Sequence, residues 1–406
     1  MKHSTTSRAP ARLLSTIGLA TGLALTVTAC STGTPSADSS TGTARPHGYV
    51  AGASESQEPQ VGLLAVSATG ATALHDLLTE ETTELEDVDA PEHSATDGRF
   101  LVTSDADRTT IVDGGSWTVD HGDHTHYYAA EPRVVGTIDG GGRVEVHSSE
   151  TMTTITWPDR AEAVVLDREA LGQGEVDETA RIDASVLLPM GEQLVAADGD
   201  TVRVLDQDGE ATAAGASASA EQACTDPAGG IVTRAGAVVG CADGAVVVDD
   251  AGETSFVDLP DGAERPTAFA ARAGRPTVAG LAGATGFWLL DVRQGSWRLV
   301  PTDRPLRAVV AVDDEAEHVV GVDDSGRVVV VTAATGKVAT TEPLIDARAG
   351  DTGTDPAPLL QLDAQRAYLA DPADGTVHEI DFADGARVAR TIELPVAPVA
   401  FAEVGL

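Results

Sequence analysis

Basic residues are in short supply in this sequence: 26 Lys and Arg face 64 Asp and Glu, a formal net charge of -38. Such a surface repels polyphosphate, which excludes a nucleic-acid partner. The same field keeps a protein soluble and attracts cations, without by itself making a metal protein. Aromatic residues are scarce too, at 3%, whereas 42 glycines and recurrent short runs of Val are present. That balance points to many short strands joined by tight turns. Amphipathic helices are missing: no long segment repeats its apolar residues about every 3.6 positions. Leu74 to Glu86 has a helix-like composition, yet its centre, Thr79-Glu80-Glu81-Thr82-Thr83, carries no apolar stripe.

Cysteine is nearly absent, with three in 406 residues. The first, Cys30, closes the stretch Val27-Thr28-Ala29-Cys30. Lys2, Arg8 and Arg12 precede an apolar run from Leu13 to Ala29, which is short for a membrane-spanning helix. A basic start, a short apolar run and small residues before the cut describe a bacterial secretory signal over 1–29. The ending resembles a lipobox, so Cys30 is expected to be lipidated and to anchor the chain to the outer face of the cell membrane. From Ser31 to about Gln60 the sequence is Ser, Thr, Gly, Ala and Pro with almost no large apolar residue, and 30–60 is read as a flexible tether. Cys224 and Cys241 are then the two cysteines left to an exported chain, and they are expected to form a disulfide across the Asp226-Pro227-Ala228-Gly229-Gly230 turn. Their spacing does not fit a zinc knuckle.

From Val61 onward one pattern repeats: an apolar strand, a turn rich in Asp and Gly, and a second strand. Val319-Val320-Gly321-Val322, Asp323-Asp324-Ser325-Gly326 and Arg327-Val328-Val329-Val330-Val331 make one copy. Others start at Leu194 and Tyr368, with weaker copies near Leu63, Phe100, Val134, Val238 and Val278. Steps between copies run roughly 35 to 60 residues, mostly near 40, the period of a propeller blade. Asp and Gly suit these turns because they tolerate positive φ. The fold expected over 61–406 is an all-β propeller of seven or eight blades, eight being favoured by the number of copies. A pair of β-sandwiches is the alternative.

Histidine is sparse except in one place. His121, His124, His126 and His147 fall within 27 residues, three of them in Trp117-Thr118-Val119-Asp120-His121-Gly122-Asp123-His124-Thr125-His126-Tyr127-Tyr128. Residues two apart on a strand share a face, so His124 and His126 can reach one ion. His121 has the opposite parity, which a bulge or turn at Gly122-Asp123 would restore. Zn²⁺ takes four N or O ligands at about 2.0–2.2 Å, so three His and one Asp would fill it. Asp123 is either that fourth ligand or the carboxylate that orients a histidine, a role open to Asp120 as well. His147 follows the Asp139-Gly140-Gly141-Gly142 turn, on the second strand of that hairpin, and is a candidate further ligand. Imidazole with carboxylate, and no nearby Met or Cys, favours Zn²⁺ over copper and over Ca²⁺ or Mg²⁺. His75, His93, His318 and His378 are isolated and read as ordinary surface or strand residues. Asp313-Asp314-Glu315 and Asp323-Asp324 read as turn acids, since their spacing fits no EF-hand.

The order His-x-Asp-His-x-His differs from the His-x-His-x-Asp-His of metallo-β-lactamase-like hydrolases. No Gly-x-Ser-x-Gly elbow or nucleotide-binding glycine loop occurs. A zinc hydrolase would also need an open coordination position and a base, for which Glu131 and Glu145 are equal candidates. Sequestration or delivery fits better than catalysis. A metal-dependent propeller hydrolase or lactonase, and a propeller serving only as an interaction scaffold, are the competing readings.

The lipobox, the repeated hairpins and above all Asp120-His121-Gly122-Asp123-His124-Thr125-His126-Tyr127-Tyr128 resemble the periplasmic zinc metallochaperones that accompany Azt-type zinc ABC importers, the AztD family. The resemblance covers most of the chain beyond the tether. It implies a monomeric propeller that binds Zn²⁺ through His121, Asp123, His124 and His126 and passes it to the importer's solute-binding protein. One departure stands out: the tether offers only His47 where family members carry a second His-rich stretch.

Overall fold

The structure is a computed structural model, and it describes residues 50, 52–120, 124–210, 221–346 and 357–406. The signal sequence, Cys30, most of the tether, and His121, Gly122 and Asp123 lie outside the described residues.

Turn chemistry makes the hairpins. In the 323–326 turn, the Asp323 carboxylate accepts hydrogen bonds from the backbone N–H groups of Ser325 and Arg327, at 2.8 and 3.1 Å. Gly326 follows at φ 77°, and the Ile345 carbonyl stands where its Cβ would be. Asp105, Asp206, Asp249 and Asp363 bind the backbone ahead of them in the same way. Repeating this unit gives eight antiparallel sheets of three or four strands among the described residues, with one smaller three-stranded sheet.

The first sheet holds Gly62–Ser67, Thr72–Asp76 and Thr82–Glu84, completed by Pro398–Val404 from the far end of the chain. The second runs His93–Thr96, Phe100–Ser104, Arg108–Asp113 and Arg133–Asp139. Six more follow in sequence order over 145–182, 186–223, 230–258, 277–301, 306–340 and 360–393. Central strands such as Gly236–Cys241 are buried along their whole length, because both faces of the sheet are covered. Outer strands such as Arg387–Glu393 alternate exposed and covered positions.

Each sheet shares a buried cluster with the next. Leu64 and Val404 meet Leu101 and Val112 between the first and second sheets, and Phe100 and Ile111 meet Ile155 and Trp157 between the second and third. The series continues through the eighth sheet, whose Tyr368, Val377 and Ile392 pack on Leu63 and Phe401 of the first. With few rings available, Val, Leu and Ala fill most of this volume. Cys224 and Cys241 are joined in a disulfide inside the cluster between the fourth and fifth sheets.

Leu74–Glu86, which lacks an apolar stripe, forms no helix and is strand, turn and strand: Asp76 caps the turn by accepting from the N–H groups of Leu78 and Thr79, and Glu80 takes φ 60°. Among the described residues the one α-helix is Arg168–Gln173, capped by Asp167. Two expectations change. The segment around Asp139-Gly140-Gly141-Gly142 is not a hairpin. It carries the chain from the last strand of the second sheet to the first strand of the third, Glu145–Ser148, so His147 lies on that sheet's first strand and not on the second strand of a hairpin. Gly140 is needed there because the Trp157 ring occupies the space a Cβ would take, 2.4 Å away. Finally, Ser54–Ser56, inside the stretch read as tether, is a strand of the small sheet. Low apolar content measures what a segment can bury, whereas joining a sheet edge needs only backbone donors and acceptors.

Candidate metal site

The small sheet is built on a hairpin inserted between the third and fourth strands of the second sheet. Ser116–Asp120 pairs with Thr125–Ala129, in the register Trp117 to Tyr128, Val119 to His126 and Asp120 to Thr125. The chain enters through Gly114 and Gly115. Gly115 takes φ 77°, and a Cβ there would stand 2.6 Å from the Ala130 carbonyl that closes the loop. Thr118 then seats the hairpin on the last two residues: its Oγ1 donates to the Gly405 carbonyl at 2.7 Å and its N–H to the Leu406 carbonyl at 3.2 Å.

A column of planar groups runs up one face. Arg99 and Asp113 form a buried two-point ion pair, with nitrogen–oxygen distances of 3.0 and 2.8 Å. The Arg99 guanidinium lies 3.7 Å from the centre of the Trp117 ring, a cation–π contact shielded from water. Trp117 stacks on Tyr128 at 5.2 Å, Tyr128 on His126 at 6.0 Å, and the His126 ring meets His124 edge-on at 4.8 Å. Tyr128 and His126 share this face through the period of two along a strand. Burial, and then the charge of Glu55, raises the Tyr128 hydroxyl above its ordinary pKa.

Glu55 arrives from the strand Ser54–Ser56, which pairs with Thr125–Ala129 and places Glu55 opposite Tyr128. Its Oε1 lies 2.6 Å from Nδ1 of His126. An acidic side chain thus stands at hydrogen-bond distance from one ring nitrogen of His126. The His126 side chain is 10% exposed and Glu55 is 47% exposed, so the bond runs from the interior to the rim. His124 is exposed beside it.

His126 thus lies on the second strand of a hairpin, with His124 immediately before that strand. His124 and His126 are brought together; His121 and Asp123 lie outside the described residues. Asp120, considered as an orienting carboxylate, makes an ion pair at 3.8 Å with Arg234, which reaches the hairpin from the fifth sheet. His147 sits opposite Thr154 and accepts from its hydroxyl through the backbone carbonyl at 3.3 Å. Protein surrounds the ring closely enough that burial lowers its pKa to about 4, with Asp97 opposing the shift. Among the described residues no three His, Cys, Asp or Glu side chains gather to hold a metal, so His147 does not form such a group with His124 and His126. Glu145 is raised by burial and bonded to Arg143, while Glu131 is exposed. Of the isolated histidines, His318 bonds Asp314 at 2.6 Å and His75 faces Thr82 at 3.3 Å. Sequence reasoning missed Glu55, which stands 71 positions before its partner in Ser-Glu-Ser, a context without any local signal.

No protein-family profile and no curated protein matches this sequence. Solved structures do match in fold. The crystal structure of Citrobacter koseri AztD is 16% identical, with a TM-score of 0.69 over 86% of this chain and 98% of that one. The apo form of the same protein gives 14% identity and a TM-score of 0.68 over the same shares. Dihydro-heme d1 dehydrogenase NirN, solved in complex with DHE, is 14% identical, with a TM-score of 0.54 over 86% of this chain and 76% of that one. The family whose motif this sequence resembles is therefore also one whose solved structures share this fold.

Proposed function

We propose that this chain is an exported zinc metallochaperone of the AztD type. In this reading the eight sheets are the blades of one closed propeller, with Pro398–Val404 completing the first blade. His121, Asp123, His124 and His126 hold one Zn²⁺ ion as cargo and release it to the solute-binding protein of a zinc ABC importer. Cys30 tethers the chain by lipid to the outer face of the cell membrane. His147, on another strand of another blade, is not needed for this four-ligand set.

The observation that carries the proposal is the pairing of His124 and His126 at the hairpin tip, rings 4.8 Å apart. The donor chemistry suits zinc, and Nδ1 of His126 is already occupied by a carboxylate, as in the histidine ligands of zinc proteins. Four protein donors would leave no open position for a reacting water, which favours carriage over catalysis.

The test is zinc content and affinity of the purified full chain, by elemental analysis and chelator competition. We expect one zinc per chain, and a fall in affinity of at least about 100-fold in His124→Ala/His126→Ala, which loses two of four donors. Equal zinc binding by parent and variant would refute the site. Chelation-sensitive turnover of esters or lactones would point instead to the hydrolase reading.

A further inference from the structure

We infer that Glu55 is a positioning residue for the metal site: its docked strand holds His126 by Nδ1 and leaves Nε2 as the donor atom. The inference rests on the metal-site reading above and adds a residue, and a segment, that the motif does not contain.

Three observations carry it. The first is geometric: Glu55 Oε1 stands 2.6 Å from Nδ1 of His126, a length suited to a charge-assisted hydrogen bond. A neutral imidazole offers one donor and one acceptor nitrogen, so a carboxylate held at Nδ1 favours the tautomer that binds a cation through Nε2. The second concerns how Glu55 is delivered. Ser54, Glu55 and Ser56 pair with Ala129, Tyr128 and Tyr127, and the Ser54 hydroxyl donates to the Ala129 carbonyl at 3.1 Å. The strand is three residues long, mostly exposed, and without an apolar side chain. It is held by backbone bonds and by Glu55, and it contributes almost no buried apolar area. The third is that the rest of the hairpin is rigidly based, through the Arg99, Trp117 and Tyr128 column and the Thr118 bonds. The removable part of the site is therefore the strand from the tether side.

A consequence follows from linkage. If docking of 54–56 raises the affinity of His126 for a cation by some factor, the bound cation stabilises docking by the same factor. Displacing this strand would then weaken the site without disturbing the propeller. That gives a partner which competes for the edge of Thr125–Ala129 a way to draw the ion out.

The experiment compares the parent full chain with Glu55→Ala and Glu55→Gln. Spectra of ¹⁵N-histidine in the metal-free proteins report the tautomer directly. His126 should be protonated at Nδ1 in the parent and should lose that preference in Glu55→Ala. Zinc affinity should fall about 10- to 100-fold in Glu55→Ala, the usual cost of losing an orienting partner, with Glu55→Gln in between. Zinc should slow cleavage after Glu58 by a glutamate-specific protease by a similar factor in the parent and not in Glu55→Ala. A parent His126 protonated at Nε2, or an unchanged affinity in Glu55→Ala, would overturn the role of Glu55. A parent that binds no zinc but shows the expected tautomer would instead sink the carrier reading and leave Glu55 as the residue that orients His126.

Discussion

Lowering the pH from about 7 to about 4 singles out His147. Its side chain is half-buried on the first strand of the third sheet, and burial lowers its pKa from 6.5 to about 4. In the unfolded chain the same histidine takes up a proton near 6.5. Above that value both states are neutral and stability does not depend on this group. Below it the unfolded state binds the proton and the folded state does not, so stability falls as pH falls. The loss is about 1.4 kcal/mol per pH unit, and it levels off near the folded value. Over the interval from 6.5 to about 4 this amounts to about 3 kcal/mol. The assay is urea unfolding of the metal-free protein across this range, parent against His147→Gln, which cannot take up the proton. The variant loses packing at every pH, but its deficit should shrink by about 3 kcal/mol on acidification. Parallel pH profiles for the two proteins would refute the reasoning, because they would mean that His147 titrates alike in both states.

Glu403 gives the opposite sign. Burial, and then the charge of Asp363 with a smaller effect of Glu379, raises its carboxyl well above the ordinary glutamate value of 4.5. The folded state prefers the neutral acid, so this contribution is complete below 4.5 and is lost as pH rises through the folded value. Glu403→Gln should therefore gain stability relative to the parent between about pH 5 and 8 in thermal melts, and a pH-independent difference would refute this. The disulfide closes a loop with a sequence separation of 17 between two buried positions. Replacing Cys224 and Cys241 with Ala should cost about 3 kcal/mol in denaturant unfolding. An unchanged midpoint would show that the cluster between the fourth and fifth sheets holds the segment unaided.

The parts of this fold readable from sequence are those fixed by neighbours in the chain. Asp323 through Gly326 makes a turn by bonds to its own backbone, and Val319–Val322 and Val328–Val331 are apolar because each is covered on both faces. The Cys pair was legible because only two cysteines remain beyond Cys30, although the strand Gly230–Thr233 and its turn into Gly236–Cys241 lie between them. Failures occurred where a distant partner decides. Arg133–Asp139 and Glu145–Ser148 look like two arms of a hairpin, yet they pair with Arg108–Asp113 and Met152–Trp157 respectively. The missing apolar stripe of Leu74–Glu86 was, by contrast, a sound signal against a helix, since the edges of Gly62–Ser67 and then of Thr72–Asp76 claim its backbone. At the site, the proximity of His124 and His126 follows from their spacing. The Glu55 contact, and the Arg99 base beneath Trp117, depend on strand register and on a column of side chains that no local pattern announces.

Pro398–Val404 belongs to the sheet that the chain begins to form at Gly62, and the two residues after it seat the hairpin through Thr118. Residues 398–406 are thus made after the other strands described, yet the sheet that begins at Gly62 and the hairpin that carries His126 both rest on them. Until they arrive, Leu63 and Leu64 lack their cover and the hairpin lacks its seat. A chain cut before Pro398 would keep His124 and His126 but lose the strand that completes the first sheet and the two carbonyls on which the hairpin is seated.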